Sequence, residues 1–417
     1  MRVTAFCIND YMTGRVNEFC GPQMPRMEFP TELVGEGKVK VWMPKHGGLL
    51  PSKLPVFFNP IMELNRDVAV LALQAFQRLV GRRVDVCEPL AGCGVRGVRF
   101  AIEVEGVTHV WLNDINEKAA GLAELNVKEN SVEGLVSVEN LDANLFLSMH
   151  AAPRRRFDYV DVDPFGSPAP YLDSTVRAVR DGGLIALTAT DMAPLCGVHP
   201  RACVRKYGGK PLRTEYCHEL ALRLLAGSLA TVAARHDVGV RMVFCHSTDH
   251  YIRLYAVANC GAQRADTSLT EMGYVQHCFN CFHRETTKAM LKQECPECHG
   301  KLYMAGPLWL GKTFDKNFVV KMQKELLKKK LKQEKRVSKL LFLAENEADA
   351  SPTYYVIDKI CDKYGLPAPP SESIIKRLEK ASYTASLTHF HRRGIKTDAL
   401  AKTMKEILVH QTQNVPT

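Results

Sequence analysis

Residues 157–170 constrain the fold of this chain more than any other stretch. Residues 157–162 alternate between aromatic, apolar and acidic side chains, a pattern typical of a buried strand. Residues 163–168 follow as Asp-Pro-Phe-Gly-Ser-Pro, and the two prolines and the glycine predict a rigid turn. Asp163 therefore stands at the carboxyl end of a strand, the edge at which open α/β sheets bind their ligands.

This turn carries groups that can hold an amino group on a flat heterocycle. The carboxylate of Asp163 and the backbone carbonyl of Pro164 can accept the two N–H bonds, and the ring of Phe165 can stack on the heterocycle. A second aromatic side chain comes from the proline-bounded loop at residues 55–60. We expect Phe57 to form the other face of a stacking slot, although burial in the core is an equally good expectation for a phenylalanine.

Two earlier strand ends predict a nucleotide-like ligand on the same edge. Residues 84–101 read as a strand, a turn with the spacing Gly92-x-Gly94-x-x-Gly97 and the start of a helix, which lets backbone N–H groups approach a ligand. This motif alone is shared by folds that bind NAD, FAD and S-adenosylmethionine. The next strand ends at Asp114, about 20 residues after the glycines, where a carboxylate can bind a ribose diol.

A third strand, near residues 136–138, adds a possible adenine contact. It is followed by Asp142 and Ala143, whose carboxylate and backbone amide can meet an adenine edge. A dehydrogenase would not need the fourth strand end, at Asp163. The four strand ends, taken together, therefore favour a methyltransferase.

Length and charge divide the chain into parts. Its 417 residues predict more than one domain, which we place at residues 1–30 (an N-terminal extension), 31–260 (the α/β domain) and 261–417. Residues 1–260 carry 29 Lys+Arg and 28 Asp+Glu, whereas residues 261–417 carry 26 and 17, so that +9 of the net +10 lies in the last part. A polyanionic partner met mainly by that part is the expectation.

The sequence gives no sign of export. No apolar run reaches the roughly 18 residues of a membrane span, and the N-terminus lacks a signal-peptide pattern. We expect a cytoplasmic protein without a membrane partner.

Four of the 14 cysteines form a motif. Cys278-x-x-Cys281 and Cys295-x-x-Cys298 have the spacing of a tetrahedral four-cysteine zinc site. Four thiolate ligands leave no open coordination position, so a Zn²⁺ ion here would be structural. The remaining cysteines are mostly scattered singly, as in reduced cytosolic proteins.

The C-terminal part predicts a basic helix and a small helical unit. Residues 321–339 combine a helical pattern with nine basic and two acidic side chains. Short helices are predicted at residues 354–364, 371–378 and 395–408, and a wing at residues 388–397. Together they indicate a winged-helix-like segment. A second basic stretch, residues 194–208, either contacts a nucleic-acid backbone or is a solvated surface loop.

Taken together, these motifs resemble the tRNA (guanine-26 N2) dimethyltransferases, and their archaeal members most closely. The match extends from about residue 35 to about residue 405 and is most specific at residues 163–168 and 194–197. The other matching segments are residues 57–60, 65–67, 92–97, 112–114, 188–191, 198–201, 388–390 and 394–397.

The resemblance implies a fold and a reaction. The fold would be a Rossmann-like class I S-adenosylmethionine-dependent methyltransferase sheet, an α/β structure, followed by a C-terminal α+β domain with the four-cysteine zinc site and the winged-helix-like segment. The reaction would transfer methyl groups, two by expectation, from S-adenosylmethionine to N2 of guanine-26 in tRNA. Asp163 would hold the target amine, and the donor contacts carried over by position would be Arg66, Arg96, Asp114, Asp142 and Ala143. No obligate protein partner is expected.

Other functions fit parts of the pattern. An amino-methyltransferase acting on adenine N6 or cytosine N4 of DNA uses a similar acid-proline-aromatic turn. A non-catalytic tRNA-binding protein could retain the fold, and a nicotinamide dehydrogenase could use the glycine motif. The sequence does not predict the number of methyl groups, modification of a neighbouring guanine, the preferred tRNAs, the oligomeric state or the role of residues 1–25.

Overall fold

The structure, a computed structural model, describes residues 27–45, 48 and 53–412, with residues 410–412 described by their backbone alone. Most of the predicted extension, residues 1–30, lies outside the described residues, so its role stays open.

The described residues form fifteen strands and fourteen α-helices, numbered in chain order. The strands are β1 Thr31–Glu36, β2 Val39–Pro44, β3 Val84–Glu88, β4 Val107–Asn113, β5 Val136–Glu139, β6 Phe157–Val162, β7 Val179–Ala189, β8 Val238–Thr248, β9 Tyr251–Cys260, β10 Met272–His277, β11 Arg284–Thr287, β12 Tyr303–Trp309, β13 Tyr355–Val356, β14 Ala385–Leu387 and β15 Gly394–Thr397. The helices are α1 Glu63–Val80, α2 Val95–Glu103, α3 Glu117–Glu129, α4 Ala143–Met149, α5 Leu172–Ala178, α6 Met192–Leu195, α7 Pro200–Tyr207, α8 Cys217–Ala234, α9 Ala262–Leu269, α10 Lys316–Leu326, α11 Glu334–Asn346, α12 Ile357–Tyr364, α13 Ser371–Lys380 and α14 Ala401–Thr412.

A seven-stranded sheet in the order β5-β4-β3-β6-β7-β9-β8 forms the centre of the molecule. The pairs from β5 to β7 are parallel, and β9 runs antiparallel to both β7 and β8. The chain adds β4 and β5 on one side of β3 and then crosses to place β6 on the other side. This reversal of strand order leaves a crevice at the carboxyl ends of β3 and β6, the place where such sheets bind ligands. The structure thus confirms the Rossmann-like α/β sheet.

The β1–β2 hairpin and α1 pack into the main hydrophobic core of the sheet layer. The β1–β2 hairpin turns at Gly37, and Trp42 of β2 exchanges hydrogen bonds with the side chain of Asn126 in α3. Helix α1 is buried along most of its length and ends at Gly81, whose φ of 65° provides the left-handed C-cap.

The main hydrophobic core continues past the predicted domain boundary at residue 260. It includes β12 and both α10 and α11, with Leu308, Phe318 and Leu341 fully buried among side chains of the α/β sheet layer. Helix α10 packs on α1, and α8 lies between β8 and β12. The division at residue 260 therefore remains a prediction based on composition, and the two parts share one core.

A separate small core supports the winged-helix-like segment. Residues of α12, α13, α14 and β15 form it, including Ile360, Ile374, Ile395 and Met404. Three helices and the antiparallel sheet β13-β15-β14 match the predicted segment. The predicted helix at residues 395–408 begins instead at Ala401, because residues 394–397 pair with β13 and β14 as strand β15.

The predicted basic helix, residues 321–339, is wrong in its continuity. Helix α10 ends at Leu326 and α11 starts at Glu334, so residues 327–333 form a link. The link descends to the α/β domain, where the Lys329 ammonium donates to the backbone carbonyl of Glu103 and Leu331 is buried. Repulsion between lysines four residues apart, Lys324 with Lys328 and Lys328 with Lys332, also disfavours a continuous helix here.

Helix α8 is the one described helix long and apolar enough to meet the length and hydropathy criteria for a membrane span. Most of its apolar window is buried inside the protein, against β8 and β12. It therefore has the burial of a core helix.

Candidate active site

The glycine turn lies directly on the crevice at the end of β3. Gly92 and Gly94 take φ values of 55° and 74°, which favour glycine, and Gly94 is the N-cap residue of α2. A Cβ atom at Gly97 would lie 2.2 Å from the side chain of Leu112, so this glycine lets α2 pack closely on β4. The N–H groups of Gly92 and Gly94 are bonded within the protein, to Asp114 and to the Ala91 carbonyl, so the turn offers the crevice a backbone free of side chains.

Asp114, at the end of β4, is held by backbone donors on both sides. Its Oδ2 accepts from the Gly92 N–H at 2.8 Å, and its Oδ1 accepts from the Asn116 N–H at 2.9 Å. The next side chain, Ile115, is 66% exposed although it is aliphatic. Sequence reasoning did not single out Ile115; its signal is an apolar residue directly after a strand-end acid.

Asp142 and Ala143 lie where α4 begins, as the third strand end predicts. The Asp142 carboxylate caps α4 by accepting from the Leu145 N–H at 3.0 Å, and Ala143 is buried. At the end of β4, Asn113 donates to the backbone carbonyls of Pro89 and Leu141, which joins the turn after β3 to the segment after β5. The three donor-side strand ends therefore form one connected surface.

The loop after β6 is fixed to the end of β7. Gly166 donates its N–H to the Thr190 hydroxyl at 2.9 Å and accepts the Thr190 N–H at 2.8 Å. Ser167 donates to the Tyr207 hydroxyl at 2.7 Å, and that hydroxyl donates to Asp191 at 2.5 Å. Asp163 and Pro164 thus sit on a loop whose backbone is held by α7 and the end of β7.

A buried ion network lies beneath Asp163. The guanidinium of Arg96 contacts Asp163, Asp161 at 3.0 Å and Glu88 at 3.1 Å. Arg253, from β9, binds both carboxylate oxygens of Asp161, at 2.9 and 2.5 Å. Side chains of Arg96, Arg253, Asp161 and Glu88 are at most 4% exposed, and only Asp163 reaches the surface, at 17%.

The network gives Arg96 a partner that the sequence did not predict. The structure has Arg96 bound to the predicted target carboxylate, and a contact between Arg96 and the donor remains a prediction. Glu88, Asp161 and Arg253 were not singled out from the sequence. The signal was available, since a charged residue inside an otherwise apolar strand must find a buried partner.

Burial and charge set the pKa values of the network in opposite directions. Burial raises the pKa of Glu88 to about 8, with the charges of Asp161 and Asp163 adding to the rise and Arg96 opposing it. Burial would also raise the pKa of Asp161, but Arg253 and Arg96 outweigh it and hold that pKa below its ordinary value.

Phe57 and Phe165 are in contact at the mouth of the crevice. Their ring centroids are 4.4 Å apart and the rings are nearly perpendicular, at 88°. Phe165 is 69% exposed. Of the two phenylalanines in the loop at residues 55–60, Phe58 is buried in the core, and Phe57 is the one that contacts Phe165, as predicted. A base stacked between two parallel rings requires a separation of about 7 Å, two stacking distances, so one ring must move to admit it.

Arg66 lies away from the open surface. Its guanidinium makes two bonds of 2.6 Å to Glu36 in β1 and also contacts the backbone carbonyl of Asn59. It thereby anchors the loop that carries Phe57 to the β1–β2 hairpin. A direct contact between Arg66 and a donor molecule remains a prediction.

The four motif cysteines come together beside β10. The Sγ atoms of Cys278 and Cys298 are 3.5 Å apart, as are those of Cys281 and Cys295, and all four lie within 4.8 Å of one another. A tetrahedral Zn²⁺ ion with Zn–S bonds of about 2.3 Å separates its sulfurs by about 3.8 Å. The donor set and its spacing therefore fit such an ion.

Basic side chains surround the crevice. Helix α7 and the residues after it expose Arg201, Arg205 and Arg213. On the other side, Lys332 of the link pairs with Glu63 at 3.1 Å, and Arg336 of α11 binds both oxygens of Asp249 in the β8–β9 turn. That turn lies at the carboxyl-end edge of the parallel strands, so the link and the start of α11 border the crevice.

Comparison with known proteins places the chain in one family. Residues 37–409 match the family model for N2,N2-dimethylguanosine tRNA methyltransferase.

Curated relatives and a solved structure agree with the family model. The tRNA (guanine(26)-N(2))-dimethyltransferase of Methanobrevibacter smithii is 41% identical over 91% of this chain and 98% of its own. The tRNA (guanine(26)-N(2)/guanine(27)-N(2))-dimethyltransferase of Aquifex aeolicus is 36% identical over 90% and 96%. The structure of Trm1 from Pyrococcus horikoshii with S-adenosyl-L-methionine superposes with a TM-score of 0.81, at 35% identity, over 90% of this chain and 99% of that one.

Proposed function

Because the chain belongs to the N2,N2-dimethylguanosine tRNA methyltransferase family, we propose that the crevice between β3 and β6 is the site of its reaction. The chain is an S-adenosylmethionine-dependent methyltransferase that modifies N2 of guanine-26 in tRNA. The observation that carries the site is the position of Asp163, the one partly exposed carboxylate of a buried ion network, beside the glycine turn and Asp114. Two methyl groups per guanine are the expected product.

The donor-side strand ends would bind S-adenosylmethionine, which supplies an electrophilic methyl group on a sulfonium. We assign the ribose diol to Asp114, whose carboxylate is already oriented by two backbone N–H groups. Ile115 offers an exposed apolar face for the adenine, and Asp142 with the Ala143 amide would meet its edge. The Gly92–Gly94 turn, which carries no side chain at either glycine, would let the methionine end approach the backbone closely.

Asp163 would align the guanine amino group and need not act as a strong base. The lone pair of an exocyclic amine is delocalised into the ring, which makes the nitrogen a poor nucleophile. Acceptance of its N–H bonds by the Asp163 carboxylate and the Pro164 carbonyl would favour a tetrahedral nitrogen and direct the lone pair at the methyl group. After one transfer a single N–H remains, so a second round requires the amine to turn within the site.

The guanine must leave the stacked tRNA core to reach Asp163, as bases do in other base-modifying enzymes. Phe57 and Phe165 would hold it between their rings. Their edge contact means that the slot opens as the base enters. Phe165 is the more exposed ring and lies on a loop fixed through Gly166, so rotation of its side chain is the simplest opening motion.

The tRNA backbone would lie across the two basic borders of the crevice. One border is α7 with Arg201 and Arg205, and the other is the link with Lys332 and the exposed face of α11, which includes Lys335 and Lys339. Cations on both sides of the slot would neutralise phosphates flanking the flipped nucleotide. The excess positive charge of residues 261–417 supports the same partner.

We assign Zn²⁺ to the Cys278, Cys281, Cys295 and Cys298 site as a structural ion. It would fix the β10–β11 and β11–β12 loops and take no part in methyl transfer. Metal analysis should find one zinc per chain that is lost when these cysteines are replaced. We place the enzyme in the cytoplasm, where its tRNA substrate is available.

Mass spectrometry of nucleosides tests the reaction. Unmodified tRNA with guanine at positions 26 and 27 is incubated with the protein and methyl-labelled S-adenosylmethionine. We expect N2,N2-dimethylguanosine that disappears when guanine-26 is replaced by adenine. Product that persists until guanine-27 is also replaced would extend the substrate to both positions, and labelled DNA without labelled tRNA would overturn the assignment in favour of a DNA amino-methyltransferase.

A further inference from the structure

Two cysteines outside the zinc motif stand at the two ends of the basic loop, residues 197–216. Cys196 caps the end of α6, and Cys217 is the first residue of α8. Their Sγ atoms, together with a ring nitrogen of His218, lie within 4.8 Å of one another. Both cysteines are half-buried residues, outside the fully buried core.

The backbone holds the two ends of this loop together. Gly197 takes a φ of 90°, and a Cβ atom there would lie 3.0 Å from the Arg213 nitrogen and 3.2 Å from the Leu212 carbonyl carbon. The chain leaving Cys196 therefore touches the chain returning to Cys217. A bond between the sulfurs would close a loop whose base is already in contact.

The two thiols are chemically unequal. Cys217 lies at the N-terminus of an 18-residue helix, where backbone N–H groups and the helix dipole favour a thiolate. Hydrogen bonding from the Cys196 thiol, followed by a backbone N–H and the charge of Arg213, lowers the pKa of Cys217, although burial and the charge of Glu215 oppose this. The same hydrogen bond and burial raise the pKa of Cys196. Cys217 is thus the nucleophile and Cys196 the protonated partner.

We propose that Cys196 and Cys217 form a reversible disulfide that closes the basic loop when a peroxide oxidises the protein. The Cys217 thiolate attacks one peroxide oxygen, the O–O bond breaks, and the second oxygen leaves as water or an alcohol after protonation. The Cys196 sulfur then attacks the resulting sulfenic acid, an S–S bond forms and a second water leaves. A dithiol reductant reverses the change by thiol–disulfide exchange.

The geometry favours this chemistry over a second metal site. Only three donors converge among the described residues, two of them consecutive in the chain, and the positive end of a helix attracts a thiolate but repels a cation. The other described cysteines outside the zinc motif do not combine partial exposure with a nearby second thiol. Cys87, Cys93, Cys203, Cys245 and Cys361 are buried, and Cys260 is half-buried with a raised pKa from burial and Asp181.

Closure would act on the basic loop. Arg201 and Arg205 lie between the two cysteines, and the hydroxyl of Tyr207 in the same segment holds Asp191 and Ser167 beside the target turn. A disulfide would restrict the motion of this segment while leaving its side chains in place. The expected signature is slower amide hydrogen exchange over residues 197–216.

Peptide mapping of the full-length, zinc-loaded protein tests the pair. The reduced protein is treated with a small excess of hydrogen peroxide, free thiols are alkylated, and a non-reducing digest is analysed by mass spectrometry. We expect a peptide linked through Cys196 and Cys217, which dithiothreitol removes. In Cys196→Ser, dimedone should label Cys217, whereas in Cys217→Ser it should not label Cys196. Cys260→Ser is the matched control and should form the link as the wild type does.

Hydrogen exchange gives the second readout. Amides of residues 197–216 should exchange several-fold more slowly after oxidation, return to the reduced rate with dithiothreitol, and show no change in Cys196→Ser. Absence of the linked peptide, dimedone labelling of Cys196 in place of Cys217, or a second zinc equivalent removed only by replacing Cys217 would overturn the proposal. None of these measurements depends on methyl transfer, so they stand apart from the proposed reaction.

Discussion

The two halves of the crevice are built by different forces. On the donor side, Asp114 is oriented by the backbone N–H groups of Gly92 and Asn116. Both donors lie in the turns that follow the adjacent strands β3 and β4. On the target side, Asp163 is bound to Arg96, which also contacts Asp161, and Asp161 is neutralised by Arg253 from the far, antiparallel part of the sheet. The donor half depends on local backbone geometry, and the target half depends on buried charges brought together by the whole fold.

This difference predicts how each half fails. Damage to a backbone-oriented carboxylate on the rim should weaken binding and leave the protein folded. Damage to the buried network should affect folding and turnover together, because an unpaired buried charge is costly.

The largest effect is expected from Asp163→Ala. The guanine amine would lose its charged acceptor, and we expect the rate of methyl transfer in a single turnover to fall by about 10³-fold or more. Affinities for S-adenosylmethionine and tRNA, measured by calorimetry and filter binding, should stay within a few fold of wild type. Asp163→Asn keeps the shape but not the charge and should recover little of the rate. A variant with near-normal turnover would remove Asp163 from the reaction.

The donor half was the more predictable one from the sequence. Gly92, Gly94, Asp114 and Asp142 lie at fixed spacings around consecutive strands, so parallel strand order alone brings them to one edge. Asp163 was predictable for the same reason. The buried ion network that supports Asp163 was not predictable, because Arg253 pairs with Asp161 across 92 residues of sequence. Arg253 lies in β9, and the local sequence pattern does not reveal the antiparallel placement of that strand.

Two other outcomes depended on tertiary contacts that periodicity does not contain. The break between α10 and α11 results from Lys329 and Leu331 docking on the α/β domain. The edge contact between Phe57 and Phe165 depends on side-chain rotamers, so the sequence could predict the pair of rings but not that they touch.

Arg253→Met should damage the target half by lowering the unfolding free energy of the protein. It leaves Asp161 buried with less compensation, and loss of one partner of a buried ion pair costs about 3–5 kcal/mol of unfolding free energy. Urea unfolding measures this loss, and the remaining folded enzyme should turn over more slowly because Arg96 and Asp163 lose their support. Arg241→Met is the matched control. The exposed side chain of Arg241 in the edge strand β8 pairs with Asp315 at the start of α10, and an exposed pair contributes about 1 kcal/mol or less. Equal losses in the two variants would contradict the buried-network account.

Glu88→Gln should change how the unfolding free energy depends on pH, because it removes the titrating carboxyl group of the target half. The folded-state pKa of Glu88 is raised from 4.5 to about 8, so the neutral acid is favoured in the folded protein. Its contribution to stability is fully present below pH 4.5 and is lost as the pH rises through about 8. Relative to Glu88→Gln, wild-type unfolding free energy should therefore fall by on the order of 1 kcal/mol per pH unit across this window. Parallel stability curves for the two proteins would show that Glu88 stays ionised in its pairing with Arg96.

Asp114→Ala should give the smallest effect, a loss of binding free energy for S-adenosylmethionine that is confined to the donor half. Removal of a charged hydrogen-bond acceptor for a ribose diol costs about 1.5–3 kcal/mol, or roughly 10- to 100-fold in the dissociation constant of S-adenosylmethionine. Because Asp163 and its ion network do not touch Asp114, the rate at saturating donor should stay within a few fold of wild type. Calorimetry with S-adenosylhomocysteine and single-turnover rates at high donor concentration separate the two quantities. A large loss of rate with unchanged donor affinity would mean that Gly92, which donates its N–H to Asp114, transmits the change to the target half, and that the two halves are not independent.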